Sequence, residues 1–277
     1  MSGDFLSGMA KASRLRADAL LAEAALPALR RRALETAPPI APALSLEGFD
    51  LIAEIKPRSP SQGVLQVQPD PAARARLYAK AGATIISVLT EPSRFDGSLE
   101  MLQSAAIAAR HHAVPVMRKD FLVDPVQVLE ARAAGASGIL LITRLLSEGQ
   151  LADMIGCASE MGLFVLLEAF DQSDLARSLA LASSLPEPAL VGINSRDLKT
   201  LDIETGRFAK LIGQFTPPAI PVAESGLSTP EDAASAAALG YRLALVGSSL
   251  MRTSSPGDLI TAMLRAGRTA ATQEVPA

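Results

Sequence analysis

Glu54 and Lys56 stand two residues apart in the run LIAEIKP, 51–57, whose other residues suit a β-strand covered on both faces. An unpaired charge in such a place is costly, and even a buried ion pair must recover its desolvation penalty. The same conflict recurs along the chain. Lys119 closes the apolar run VPVMRKD, Glu168 lies in FVLLEAF, Asn194 in LVGINSR and Glu224 in IPVAESG. Side chains alternate along a strand. The phase that turns Glu54 and Lys56 to one side also turns Ile52 there, and it sends Leu51, Ala53 and Ile55 to the other. The equivalent phase puts Pro115, Met117 and Lys119 inward with Arg118 outward, then Phe164, Leu166 and Glu168 inward, then Val222 and Glu224. Two ammonium groups and three carboxylates from four strands therefore converge. They can pair with one another, and they are groups that move protons.

A second set of residues is small and polar. Ser225-Gly226 and Gly247-Ser248 close two later runs, and such residues let backbone N–H groups approach a ligand. Ser59 and Ser61 in the loop after the first run add hydroxyls, and Arg196 adds a positive charge. An anion such as a phosphate is the expected occupant.

These residues need a scaffold that brings strand ends together. Eight short apolar runs provide it: 51–57, 84–90, 114–120, 138–143, 164–170, 190–196, 220–226 and 243–249. Ala-rich amphipathic segments separate them. Asp70-Pro71, Asp124-Pro125, Ser147 and Thr229-Pro230 read as helix starts. Gly82, Gly135, Gly162 and Gly240 read as helix ends. Continuous apolar strands alternating with helices imply a parallel sheet covered on both faces, and eight such units imply a closed (βα)8 TIM barrel. A doubly wound open sheet is the alternative. In a barrel of this kind, catalytic groups gather at the C-terminal strand ends, and the loops after strands seven and eight form the usual phosphate site. The expected organisation is a helical extension over 1–50 packing on the barrel, the barrel over 51–268, and a disordered tail over 269–277.

Composition narrows the function classes. The chain has 277 residues, 49% of them hydrophobic, and a formal charge of −3. That balance carries no basic footprint for nucleic acid. No uncharged apolar run reaches the length of a membrane helix. Asp4 stands against a secretory signal, and Asp18, Glu23 and Glu35 against a transit peptide. The single cysteine, Cys157, precludes an intrachain disulfide and points to a reducing, cytoplasmic setting. It is expected mid-helix as a small buried hydrophobe. With that one cysteine and adjacent His111 and His112 as the only histidines, no zinc site is expected. Arg30-Arg31-Arg32 reads as a solvated helix face.

The blocks IAEIKPRSPSQG, RKDF, DPVQVLEAR, LLEAF, GINSRDLKT, AESGL and VGSSLM occur in this order between Phe49 and Arg252. With them the chain resembles the indole-3-glycerol phosphate synthase family. The resemblance implies ring closure of 1-(2-carboxyphenylamino)-1-deoxyribulose 5-phosphate with loss of carbon dioxide and water, with no metal or organic cofactor. It implies Lys119 as general acid at the substrate ketone and Glu168 as acid/base in the dehydration. Lys56 would meet the substrate carboxylate, with the division of acid roles between the two lysines left open. Glu54 would position the lysines, and Asn194 and Glu224 would hold hydroxyl or amine groups. Ser59, Arg196, Ser225, Gly226, Gly247 and Ser248 would surround the phosphate, and Phe121 would pack on the aromatic ring. The implied partners are that small phosphorylated molecule and other tryptophan-pathway enzymes, not nucleic acid or membrane. Val126 departs from the family's usual tyrosine, Pro57 and Gln62 from basic residues, and Ser195 from asparagine. The rival readings are a phosphoribosylanthranilate isomerase, which would need a cysteine base, a diverged synthase of a secondary pathway, and a non-catalytic phosphate-binding barrel.

Overall fold

The structure is a computed structural model that describes residues 5–22, 26–45, 48–60, 63–65, 70–197, 200, 202–204 and 206–272. Ser61 and Gln62 lie outside the described residues, as do Pro69 and 273–277.

Eight parallel strands close into a barrel. They are β1 Asp50–Ile55, β2 Ile85–Leu89, β3 Val116–Lys119, β4 Gly138–Ile142, β5 Phe164–Ala169, β6 Leu190–Asn194, β7 Ile220–Glu224 and β8 Leu243–Val246. Each falls within one of the eight apolar runs to within a residue. Closure is made by β1, which pairs with β8 through Ala53↔Val246 and with β2 through Glu54↔Ser87.

The expected alternation holds. Ile52, Met117, Phe164, Leu166 and Val222 belong to one buried cluster inside the barrel. Leu51, Ala53 and Ile55 belong to another, between the strands and the surrounding helices. Arg118 points outward as expected and is buried there, donating to Glu130, to the Gln127 carbonyl and to Thr90.

Helix caps set the strand-to-helix turns. Asp70 accepts from the Ala73 N–H at the start of α3 (Pro71–Lys80), and Asp124 from the Val126 N–H at α6 (Pro125–Ala133). Ser147 and Thr229 form reciprocal capping boxes at α7 (Glu148–Glu160) and α10 (Pro230–Ala238). The four predicted helix-ending glycines all have positive φ. The last helix, α12 (Pro256–Ala271), takes in residues 269–271 of the expected tail.

Two helices precede the barrel, α1 (Phe5–Ala22) and α2 (Leu26–Glu35). Leu6 and Met9 of α1 join the interior cluster, so this helix covers part of the barrel mouth. It is anchored there by charge. Arg16 pairs with Asp120 at 2.9 Å and with Glu91 at 3.6 Å. Arg14 pairs with Asp124 at 2.6 Å. Asp120 directly follows Lys119, so the extension is tied to the end of the strand that carries this lysine. No helix among the described residues is long and apolar enough to cross a membrane.

Candidate active site

All the inward polar residues anticipated from strand phase meet at the C-terminal mouth. Lys56 Nζ lies 2.6 Å from Glu54 Oε1. Lys119 Nζ lies 3.3 Å from Glu168 Oε1 and 3.8 Å from Glu224 Oε2. Asn194 donates to Glu168 Oε1 at 2.5 Å and accepts from the Arg196 N–H at 2.9 Å, which fixes its amide orientation. Behind it, buried Arg207 donates to the Asn194 carbonyl at 2.7 Å and holds the end of β6 in place.

Glu54, Glu168 and Glu224 are almost fully buried, whereas about a sixth of each lysine side chain reaches the cleft. Burial works against a charge on Lys119, but Glu168, Glu224 and Glu54 outweigh it and raise the ammonium above its ordinary range. Glu224 is different. Its oxygens have no hydrogen-bond partner among the described residues. Burial first, and then the neighbouring Glu168 charge, push its carboxyl well above the usual carboxylate range.

Two glycines make room for these acids. A Cβ on Gly192 of β6 would lie 2.0 Å from Glu224 Oε1. A Cβ on Gly247, after β8, would lie 2.3 Å from Glu54 Oε1. The latter corrects an expectation, because the side of Gly247 that lacks a side chain is filled by Glu54 and not left open for an anion.

The charged residues stand between two adjoining compartments. One is walled by Phe5, Phe95, Phe121, Phe170, Leu89 and Ile142. Phe121 sits at 6.0 Å, ring centre to ring centre, from both Phe5 and Phe95. The other is bordered by Ser225, Gly226, Ser228, Gly247, Ser248 and Arg252. Glu54, Lys56, Lys119, Asn194, Arg196 and Ser225 border both. Ser225 and Gly226 both take left-handed backbone, φ 67° and 78°. Ser59 lies on a short hairpin after β1 and borders the aromatic compartment together with Arg196 and Ser225.

Several lining residues were not anticipated. Phe170 continues the inward phase of Phe164, Leu166 and Glu168, and two more residues of the same alternation would have found it. Phe5 carries no such signal, since it comes from a helix far upstream in the chain. Cys157 lies within α7, as expected, but is only partly buried, with its thiol donating to the Pro125 carbonyl at 3.7 Å in a groove shared with Val126. It borders neither compartment, so it cannot be the base that the isomerase reading needs.

The arrangement suits a substrate with an aromatic end and an anionic end, with proton donors and acceptors at its middle. Solved structures similar to the chain include a thiamine phosphate pyrophosphorylase from Pyrococcus furiosus, with a TM-score of 0.58 at 14% identity over 82% of this chain and 99% of that one. A tryptophan synthase from M. tuberculosis gives 0.57 at 16% identity over 81% and 93%. At such identity they show the barrel fold alone. Sequence relatives say more. An indole-3-glycerol phosphate synthase of Salinibacter ruber is 40% identical over 85% of this chain and 84% of its own length. Those of Paenarthrobacter aurescens and of a Parafrankia strain are 43% and 38% identical, over 79% and 91% of this chain and 78% and 91% of theirs. The family model for indole-3-glycerol phosphate synthase matches residues 36–263, and the chain belongs to that family.

Proposed function

We propose that the protein closes the pyrrole ring of indole-3-glycerol phosphate from 1-(2-carboxyphenylamino)-1-deoxyribulose 5-phosphate, releasing one carbon dioxide and one water. The observation that carries this reading is the position of Lys119, a protonated ammonium between two acids and between an aromatic and a polar compartment.

The carboxyphenyl ring occupies the compartment walled by Phe121. The phosphate takes the polar one, against the backbone of Ser225, Gly226, Gly247 and Ser248 with Arg196 alongside. The ketone then lies near Lys119. Attack on it by the ring carbon that bears the carboxylate leaves negative charge on the ketone oxygen, and Lys119 supplies a proton there. Lys56, oriented by Glu54, meets the substrate carboxylate until carbon dioxide leaves and the ring regains aromaticity. The remaining hydroxyl departs as water, and the methylene carbon next to the amine gives up a proton, which forms the second double bond of the new ring. Glu168 serves this step as acid and base, held toward the site by Asn194. Glu224, at the same mouth beside Lys119, is placed to hold a substrate hydroxyl or amine group. The reading brings with it the cytoplasm as location and other tryptophan-pathway enzymes as neighbours.

The test is direct. Purified protein and the carboxyphenylamino substrate are mixed, and the ultraviolet absorbance of the indole product is followed. Lys119→Ala is expected to lower turnover by roughly 10²–10⁴, the usual worth of a general acid, while substrate binding weakens less. Near-native turnover in that variant removes Lys119 from the chemistry.

A further inference from the structure

Phe170 and Arg144 take no part in the proton transfers above, yet they form a compact unit at the aromatic compartment. Phe170 immediately follows β5, the strand that carries Glu168, and is nearly fully buried with its ring on the compartment wall. Arg144 lies in the 3-10 turn Thr143–Leu145 after β4 and does not border the compartment. Its guanidinium carbon sits 4.8 Å from the centre of the Phe170 ring, within cation–π range.

Acids from the next helix, α8 (Gln172–Leu181), hold the guanidinium there. Arg144 Nε donates to Asp174 at 2.5 Å, and Nη2 donates to Asp171. The same Asp174 oxygen accepts the backbone N–H of Phe170 at 3.1 Å. One carboxylate thus grips both the cation and the residue whose ring the cation covers. The turn is also stitched to α8, since Arg177 donates to the carbonyls of Thr143 and Leu146, at 3.1 and 2.8 Å. An exposed ion pair alone is worth little, but Asp174 is nearly buried and the contact to the ring adds to the pair.

We propose that Arg144 is a positioning residue for substrate recognition: it fixes Phe170 as a wall of the compartment that receives the carboxyphenyl ring, and so sets affinity for that end of the substrate. The inference rests on the ring-closure reading given above. It adds Phe170 to the ring contacts and gives Arg144 a role exerted through Phe170.

The two ends of the substrate allow a selective test. Arg144→Met, Arg144→Lys and Phe170→Ala are compared with the native protein for KM, kcat and inhibition by two separate probes. The probes are 2-(methylamino)benzoate, which carries the ring, carboxylate and amine, and inorganic phosphate. Arg144→Met and Phe170→Ala are expected to raise KM and the benzoate inhibition constant roughly 3- to 30-fold. Phosphate inhibition should stay unchanged and kcat should remain within about threefold of native. Arg144→Lys, which keeps the cation, should fall between native and Arg144→Met. If Arg144→Met does not fold, a selective loss of benzoate affinity in Arg144→Lys supports the assignment and none overturns it. A benzoate constant unchanged by Arg144→Met but raised by Phe170→Ala refutes the role of Arg144 and leaves the ring compartment intact. A constant unchanged in both variants refutes the placement of the ring itself. An equal loss of benzoate and phosphate affinity marks Arg144 as merely structural and overturns the proposal.

Discussion

Gly247→Ala separates two uses of one glycine. Gly247 borders the polar compartment, but its missing side chain points at Glu54. A Cβ there would sit 2.3 Å from Glu54 Oε1 and 3.1 Å from Cδ, closer than the 3.0 Å limit for the first of these contacts. Relief requires the carboxylate to move by on the order of 1 Å. The displaced atom is the one that holds Lys56 Nζ at 2.6 Å. Misplacement on that scale typically costs about 10² in rate, and an added methyl in a packed site costs about 1–3 kcal/mol of stability. Steady-state kinetics and thermal melting should therefore show turnover falling by about that factor in a folded protein. Inorganic phosphate should compete with substrate equally well in both proteins, because the new methyl does not enter the anion site. In a Glu54→Ala background the methyl has room, and Gly247→Ala should cost little more, so the double-mutant cycle should be strongly non-additive. Retained turnover with KM alone raised, or an additive cycle, refutes the coupling through Glu54.

Three further outcomes follow from the site. The carboxyl of Glu224 is raised in the folded state, so folding binds a proton there; its stability contribution is present at low pH and is lost as the pH rises above the ordinary carboxylate value of 4.5. Glu224→Gln should therefore melt higher than native by a margin that grows from acidic to neutral pH, and a constant or shrinking margin contradicts the assignment. Arg16→Met removes the α1 partner of buried Asp120, which should cost about 1–3 kcal/mol and raise KM as Phe5 loosens over the cleft; lost stability at constant KM would uncouple the helix from the site. EDTA should leave turnover unchanged, since ammonium groups stand opposite the clustered carboxylates, and a loss reversed by a divalent ion contradicts the roles given to the lysines.

Much of this was legible in the sequence because the barrel imposes two strict periodicities. Inward and outward residues alternate, so Glu54, Lys56, Lys119, Glu168 and Glu224 could be assigned to one face by counting. The start of each βα unit is marked by residues with a single physical job, such as Asp124 and Thr229 accepting the orphan N–H groups of their helices. Local rules of this kind survive tertiary packing. They also grouped Ser225, Gly226, Gly247 and Ser248, which border one compartment.

What escaped the sequence depends on distances between strands that no local pattern encodes. Gly247 reads as a small residue beside a ligand until Glu54, from the neighbouring β1, is seen to occupy the space. The hairpin after β1, which carries Ser59 to the compartment that Phe121 also walls, has no local signal either. Phe5 belongs to a helix that packs Leu6 and Met9 over the mouth and is tied there by Arg14 and Arg16 to Asp124 and Asp120, in the distant segment after β3. These cases share a physical cause. A barrel mouth is assembled from loops and neighbours whose side chains compete for one small volume, and the winner is decided by which atoms are already there. The two glycines beneath Glu54 and Glu224 fit that account. The acids are buried and fixed because the neighbouring backbone gave up a side chain to admit them, and this sets them within ion-pair distance of the two lysines.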